Sequence, residues 1–339
     1  MRRLFALLVT MALIAAACGD DGSGSTSKAT DGPTVTDAPS TTQPPAETTT
    51  TAAETTTTTA AGTTTTVAPI AASDDTIFFV GSDAEVANFN IFSVKTDGTE
   101  RTQLTDMTDA FIPNISPDRT RVAFFNTDAG EEFVWTMDAD GGNLTQVTDY
   151  SSATADWHPD GTSLIMNSDS QGEPADTPDV YSVALDGTVI EQLIDSDATA
   201  DFDAHFTLDG STVVFVSTRN GDADLFLLDI ASGEVVEFIG GPGDQAVPRI
   251  SPDGTMVLFT NTADGNSDVY LTDFEDGPVT VLTDGPEVDD MADWSPDGQR
   301  IVFMSDRSGN FDLWMMDADG SNPIQLTDTP ELELFPSWS

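Results

Sequence analysis

Residues 294–328 read WSPDGQRIVFMSDRSGNFDLWMMDADGSNPIQLTD, and this stretch decides the fold. It opens with a large apolar residue and a Ser-Pro-Asp-Gly turn, in which proline fixes φ, aspartate caps the turn and glycine takes the positive φ. Short apolar runs follow at 301–303, 313–314 and 325–327, separated by further Gly-containing loops. Short runs rich in β-branched and aromatic residues between such turns predict antiparallel strands.

The same pattern is written along most of the chain. The first residue of the turn lies at positions 116, 158, 207, 251 and 295, which are 42, 49, 44 and 44 residues apart. Another 44 residues reach position 339, where Pro-Ser-Trp-Ser repeats the start of the pattern, and the strands of a sixth copy begin near residue 77. Four strands in about 44 residues, repeated in this way, are typical of a β-propeller. We therefore predict an all-β, six-bladed propeller of four-stranded antiparallel blades, closed by the C-terminal strand pairing into the N-terminal blade.

The charge balance is strongly acidic. The chain has 59 Asp plus Glu against 11 Lys plus Arg, and residues 74–339 hold 53 of the acids and eight of the bases. Such a surface repels phosphate backbones, so nucleic acid is excluded as a partner. It favours solubility and attracts cations, which leaves a solvated acidic surface and a specific cation or basic-ligand site as two interpretations.

The first residues have the layout of an export signal. Arg2 and Arg3 precede an apolar run over residues 4–14 that is too short to span a bilayer as a mature helix. Ala15, Ala16 and Ala17 then place small residues directly before Cys18, the single cysteine of the chain. This arrangement resembles a bacterial lipoprotein signal, which implies that Cys18 is lipidated. An ordinary secretory signal cleaved near Ala17 is the alternative, and both place the protein outside the cytoplasm.

A threonine-rich segment separates this signal from the repeats. Threonine fills 15 of the 29 positions from 41 to 69, with no hydrophobic periodicity. Such a composition cannot bury enough apolar surface to offset the entropy of ordering, which predicts disorder. We predict a signal peptide over residues 1–17, a lipidated cysteine and disordered linker over 18–73, and the propeller over 74–339.

The repeat resembles the TolB-like, or WD-type, β-propeller repeat. The similarity rests on Trp-Ser-Pro-Asp-Gly at 294–298, Ser-Asp-Arg at 305–307, Asn310, Asp312, and the Gln-Leu-Thr-Asp at 325–328, and it extends to all six blades. It implies the propeller fold and a ligand position near the central channel. TolB carries an α/β domain before its propeller and binds a peptidoglycan-associated lipoprotein. Here a linker is predicted at that place, so the chain resembles the family and not TolB itself.

One polar residue per blade is predicted to face the central channel. These residues directly precede the large apolar residue at the end of each first strand, and they are Asn114, Asp156, His205, Arg249, Asp293 and Ser337. The acids near the start of the same strands add Asp109, Asp201, Asp203, Asp244, Asp289, Asp290 and Glu333. A ligand, peptide or cation site is one interpretation, and a polar, water-filled channel whose charges satisfy one another is the other.

A second set of carboxylates recurs just before the third strand of four blades: Asp179, Asp224, Asp268 and Asp312. A carboxylate after a Gly/Asn loop commonly accepts hydrogen bonds from loop N–H groups. Calcium is the cofactor to consider as the alternative, because carboxylate and carbonyl oxygens suit a hard cation.

The sequence carries little that indicates catalysis. It has two histidines and lacks a Gly-x-Ser-x-Gly elbow, a His-Glu-x-x-His pair and a phosphate-binding loop. We predict a monomeric, non-enzymatic binding propeller, anchored to the membrane only through lipid, that recognises an envelope protein or peptide at the channel mouth. The alternatives are an envelope hydrolase or lyase that uses acidic channel residues, and a calcium-dependent structural surface protein.

Overall fold

The computed structural model describes the repeat region of the chain. The described residues are 72–82, 88–128, 130–168, 178–196, 199–263, 265–274 and 277–338. They form strands, turns and loops, and none of these segments contains a helix that could cross a membrane. The predicted signal, Cys18 and all of the linker before residue 72 lie outside the described residues.

The described residues contain twenty-four strands. In chain order they are β1 Thr76–Ser82, β2 Phe89–Lys95, β3 Thr102–Gln103, β4 Ala110–Ile115, β5 Arg121–Asp128, β6 Glu131–Asp138, β7 Thr145–Gln146, β8 Ala153–Trp157, β9 Ser163–Ser168, β10 Asp179–Ala184, β11 Val189–Ile194, β12 Asp201–Phe206, β13 Thr212–Ser217, β14 Asp224–Asp229, β15 Val235–Ile239, β16 Gln245–Ile250, β17 Met256–Asn261, β18 Asp268–Asp273, β19 Thr280–Val281, β20 Asp289–Trp294, β21 Arg300–Ser305, β22 Asp312–Asp317, β23 Ile324–Gln325 and β24 Glu333–Ser337.

The strands form six four-stranded antiparallel sheets, which confirms the predicted propeller. Five blades use consecutive strands, β4–β7, β8–β11, β12–β15, β16–β19 and β20–β23. The remaining blade has the order β24-β1-β2-β3, so its innermost strand comes from the C-terminal end. Phe78 of β1 lies opposite Ser337 of β24, and Gly81 lies opposite Glu333. The predicted closure is therefore confirmed, and it leaves β1 without a free edge.

The large residue that ends each first strand packs between blades. Trp157, Trp294 and Trp338 are 4%, 3% and 0% exposed. Each indole N–H donates to a main-chain carbonyl, of Asn114, Arg249 and Asp74 respectively. These tryptophans thus form part of the core between blades, and a buried tryptophan usually has its N–H hydrogen-bonded in this way.

Every innermost strand contains a β-bulge that the sequence analysis did not predict. The register of β12, for example, shifts between Phe202 and His205, so two residues lie opposite one. One residue of each bulge has a left-handed φ between 44° and 54°: Ile112, Thr154, Asp203, Val247, Met291 and Phe335. A bulge bends its strand and re-aims the neighbouring side chains.

The bulges bring apolar side chains of several blades together around the ring axis. Ile112, Val247, Met291 and Phe335 are at most 7% exposed and belong to one apolar cluster, although Ile112 and Val247 come from blades on opposite sides of the ring. Residues of opposite blades join one cluster only around the ring axis. Apolar bulge residues of four blades therefore surround the ring axis, and the other two blades contribute Thr154 and Asp203.

Several acids that were predicted to add to the channel instead pair with arginines of their own blade. Asp201 binds Arg219 at 3.0 Å, and Asp289 binds Arg307 at 2.6 Å. Glu333 of the closing strand binds Arg101 at 3.0 Å. The positive side chains of this acidic propeller therefore act largely as internal clamps, which leaves the outer surface more acidic still.

Arg119 occupies a turn position where four other repeats have glycine. Its φ is 57°, and the turn keeps its hydrogen bond from Arg119 N to Ser116 O. The guanidinium donates to the carbonyls of Trp338, Ser73 and Thr76. It thus ties the neighbouring blade to both strands of the closure.

We expect Arg119→Gly to destabilise the propeller, although glycine suits the backbone better. Glycine would relieve about 1 kcal/mol of left-handed backbone strain. The three hydrogen bonds lost with the guanidinium outweigh this gain, because a hydrogen bond to a charged group contributes up to about 1.5–3 kcal/mol. Thermal unfolding should show a melting temperature several degrees lower. Arg119→Asn, which tolerates the left-handed φ but cannot reach the closure, should behave in the same way. A variant as stable as the wild type would show that the clamp contributes nothing.

Candidate functional site

All six residues predicted to face the channel line one cavity. Its volume is about 340 Å³, and it lies at the end of the channel where the Pro-Asp-Gly turns meet. We call it the cup. Its polar lining includes Asn114, Asp156, His205, Arg249, Asp293 and Ser337, one from each blade. The register of the repeat therefore located the members of this cavity from sequence alone.

The wall and rim of the cup are apolar. Ile115, Trp157, Phe206 and Ile250 lie beside the polar residues. The second residue of each turn also lines the cup: Pro117, Pro159, Leu208, Pro252 and Pro296, beside which Arg119 is the one charged residue outside the polar set. Leu208, which replaces the proline of the repeat, is 51% exposed. A concave site with apolar walls and a few convergent polar groups is the usual form of a ligand pocket.

Three polar residues from successive blades form a hydrogen-bonded chain on the cup floor. His205 Nδ1 lies 2.6 Å from Asp156 Oδ2, and His205 Nε2 lies 2.5 Å from Arg249 Nη1. Because arginine only donates, Nε2 carries the lone pair and the imidazole proton sits on Nδ1, from which it is donated to Asp156. The geometry thus corresponds to a neutral imidazole between a carboxylate and a guanidinium.

A third charged residue lies beside this chain. Asp203, the bulge residue of β12, is 4% exposed, and its Oδ1 is 3.5 Å from His205 Nε2 and 3.8 Å from Arg249 Nη1. Its Oδ2 is buried without a hydrogen-bond partner, as is Oγ1 of Thr154, the bulge residue of the preceding blade. The sequence placed Asp203 among the channel acids, but the bulge is what sets it against His205.

The surroundings shift the pKa values of His205 and Asp203. Burial and the Arg249 charge lower the pKa of His205, but the carboxylates of Asp156 and Asp203 raise it by more, so that it lies above its usual value. Burial raises the pKa of Asp203, while His205, Arg249 and the Val247 main chain lower it by more. The surroundings therefore favour the ionised form of Asp203 and the protonated form of His205.

The other polar residues of the cup are used mainly to hold the ring. Asp293 accepts from the main-chain N–H groups of Trp294 at 2.8 Å and Trp338 at 2.6 Å. Asn114 donates to Ala155 O, and the Ser337 hydroxyl accepts from Ile115 N. The structure therefore separates the six predicted residues into a floor chain, Asp156, His205 and Arg249, and a set that fastens neighbouring strands.

The second predicted set stays dispersed. Asp179, Asp224, Asp268 and Asp312 lie at the start of the third strand of four different blades. Asp179 accepts from Gln192 and the Ser196 main chain, and Asp312 from Gln325 and Ser308. Asp268 accepts from Thr283, and burial raises the pKa of Asp224. Over the described residues, no group of three or more His, Cys, Asp or Glu side chains is placed to hold a metal. These contacts are those of carboxylates that fasten loops and fourth strands.

Comparison with known proteins supports the architecture. A family model described as the TolB beta propeller domain matches residues 222–339. A curated relative, the Protein TolB homolog of Chlorobium luteolum, is 30% identical over 151 residues, which cover 42% of this chain. The resemblance to TolB-like propellers is thus confirmed over the matched part of the chain. The crystal structure of TolB from Acinetobacter baumannii superposes on this propeller with a TM-score of 0.66 and 21% identity, and covers 78% of this chain.

The kinship covers only part of these relatives. The matched region spans 32% of the Chlorobium protein and 66% of the Acinetobacter protein. The tricorn protease also superposes, with a TM-score of 0.58 at 15% identity, over 27% of its length. At such identities the superpositions show the fold alone, because one propeller fold carries unrelated functions.

Proposed function

We propose that this protein is an extracytoplasmic, non-enzymatic binding propeller that receives a peptide or protein of the cell envelope in the cup. The observation that carries the proposal is the cup itself, a 340 Å³ cavity with an apolar rim and a polar floor drawn from every blade. Kinship with TolB-like propellers supports both a binding role and a location outside the cytoplasm.

The presentation of the propeller belongs to the same proposal. Lipid on Cys18 would anchor the chain to the membrane, and the threonine-rich linker before residue 74 would carry a monomeric propeller away from it. A flexible chain of this length has a root-mean-square span of roughly 40 Å. Such a stalk suits a receptor that searches for a ligand in the envelope.

The test is a pull-down from envelope extract with two matched surface variants. Leu208→Asp places a charge on the cup rim, and Ile190→Asp places the same charge on the outer strand β11. The side chains of Leu208 and Ile190 are 51% and 59% exposed. Neither change should disturb folding, since both positions face solvent. We expect the partner to be recovered by the wild type and by Ile190→Asp, and at least tenfold less by Leu208→Asp.

Two outcomes would reject binding in the cup. One is equal recovery of every partner by all three proteins, and the other is equal loss in both variants. Asp293 is unsuited to this test because its carboxylate holds the Trp338 main chain, so its removal would affect stability as well as binding.

A further inference from the structure

Arg249 is one of two arginines that line the cup, and like Arg119, whose nearest carboxylate oxygen is 3.9 Å away, it has no close carboxylate partner. Arg101, Arg219 and Arg307 each bind a carboxylate at 2.6–3.0 Å. Arg249 instead donates to a neutral imidazole at 2.5 Å and to the Pro248 carbonyl at 2.9 Å, and the carboxylate near it, Asp203, is 3.8 Å away. In a ring with 53 acids, an arginine at the floor of an open cup without a close carboxylate partner is placed to receive one from outside.

The floor also determines what must accompany such a ligand. Arg249 now compensates the buried Asp203 and occupies the lone pair of His205 Nε2. If Arg249 turns its donors to an incoming carboxylate, Asp203 loses that compensation and Nε2 is vacated. A proton on Nε2 would fill the vacated position and compensate Asp203. His205 could then donate to Asp203 Oδ1, 3.5 Å away, while Nδ1–H continues to donate to Asp156.

Counting charge leads to the same conclusion. The resting cluster of Asp156, neutral His205, Asp203 and Arg249 sums to −1. With a bound carboxylate and a protonated His205 the sum is again −1. Without the proton it would be −2 in a partly desolvated site, where charges interact more strongly than in water. Proton uptake is thus what allows an anion to enter a propeller that is itself strongly acidic.

We propose that the cup binds the C-terminal carboxylate of an extended peptide on Arg249, and that His205 takes up one proton as it binds. The inference rests on the proposed function and names its ligand chemistry. The 340 Å³ cup lies at the low end of ligand-pocket volumes, about 300–1,000 Å³, which suits a chain end better than a folded segment. The ring of four prolines and Leu208 offers apolar contact to the last side chains of such a peptide.

The pH dependence has a defined sign. The groups that face His205 are Asp156 from β8, Asp203 from its own strand and Arg249 from β16, with Asp290 of β20 acting on Asp203 from beyond. Below the pKa of free His205 the proton is already bound, so affinity is constant. Above that pKa each binding event takes up a proton, and affinity falls by up to tenfold per pH unit.

Calorimetry with three small probes tests the inference on the intact protein. The probes are N-acetyl-Ala-Leu with a free carboxylate, N-acetyl-Ala-Leu amide, and N-acetyl-Glu amide, whose carboxylate is on a side chain. We expect the free carboxylate to bind at least tenfold more tightly than the dipeptide amide, with N-acetyl-Glu amide weaker than the first. Titration in phosphate and in Tris buffer should reveal uptake of up to one proton, and the His205 ring nitrogens should shift in nuclear magnetic resonance spectra.

Two variants separate a binding role from a structural one. His205→Gln should still fold, but it should bind the carboxylate more weakly, without proton uptake and without the pH dependence. Arg249→Lys keeps the charge without the planar fork and should lose at least tenfold in affinity at an unchanged fold. Equal binding of the carboxylate and its amide, or carboxylate binding without proton uptake, would overturn the inference. If none of the probes binds while the pull-down partner still depends on Leu208, the inference is wrong and the proposed function stands.

Discussion

Removal of residues 333–339 is expected to lower the stability of the whole ring, not of one blade. The deletion takes away β24, which is the innermost strand of its blade and pairs along β1. It also removes Trp338, which is 0% exposed. The freed edge of β1 and the exposed core between blades would both favour unfolding or association. We expect the truncated chain to melt at least 10 °C lower or to remain unfolded.

Trp338 explains why the loss extends beyond its own blade. Its main-chain N–H donates to Asp293, its indole N–H donates to Asp74 O at 2.7 Å, and its carbonyl accepts from Arg119. The Arg300 guanidinium lies 4.9 Å from the ring centre. One residue therefore contacts three blades. Trp338→Ala alone should cost about 3–5 kcal/mol of unfolding free energy, or about 6–20 °C in melting temperature.

Addition of the missing strand in trans is the decisive control. A synthetic peptide of residues 331–339 added to the truncated protein should restore most of the lost melting temperature, since the groove for β24 is formed by the rest of the ring. The same peptide with Trp338→Ala should restore much less. A truncated protein that melts with the full chain, or equal rescue by both peptides, would contradict the role of closure.

The repeat explains how much of the fold and the cup could be predicted from sequence. Turn chemistry and strand spacing located all six blades, and the position before each large apolar residue gave one cup residue per blade, such as His205 and Arg249. The partial copy at the chain end predicted the closure. These features follow from local rules applied at a fixed register, which is where sequence patterns are most reliable.

The missed features depend on backbone conformations that the residue types do not announce. Ile112 and Val247 adopt a left-handed φ that β-branched residues rarely take, and no glycine in the sequence marks the bulges. Because the bulges could not be predicted, neither the apolar cluster around the axis nor the position of Asp203 beside His205 could be predicted. In the sequence Arg119 is only a departure from the glycine of the turn, and its clamp on the closure depends on long-range contacts with Ser73 and Trp338.

Asp290 is a position where a substitution is expected to raise the stability of the propeller. Burial, reinforced by the Asp203 charge, raises the pKa of Asp290 to about 6, against hydrogen bonds from the Met291 main chain, Ser267 and Thr260 that lower it. In the unfolded chain the carboxyl titrates near 3.8. Between these pH values the unfolded state ionises while the folded state keeps its proton, so stability falls as the pH rises. At pH 7.5 the accumulated loss is about 3 kcal/mol, from about 1.36 kcal/mol per pKa unit.

Asp290→Asn should therefore stabilise the propeller at pH 7.5 and leave it nearly unchanged at pH 4. The amide keeps the shape and hydrogen-bonding capacity of the protonated acid but carries no charge at any pH. The expected gain at pH 7.5 is about 6–12 °C in melting temperature, measured against the wild type at each pH. The adjacent Asp289 is the matched control, because it binds Arg307 at 2.6 Å and its replacement by Asn should destabilise instead. Opposite signs at neighbouring aspartates would distinguish a half-buried, poorly solvated carboxyl from a carboxylate that binds an arginine. Parallel pH profiles for Asp290→Asn and the wild type would instead show that Asp290 is ionised in the fold at little cost.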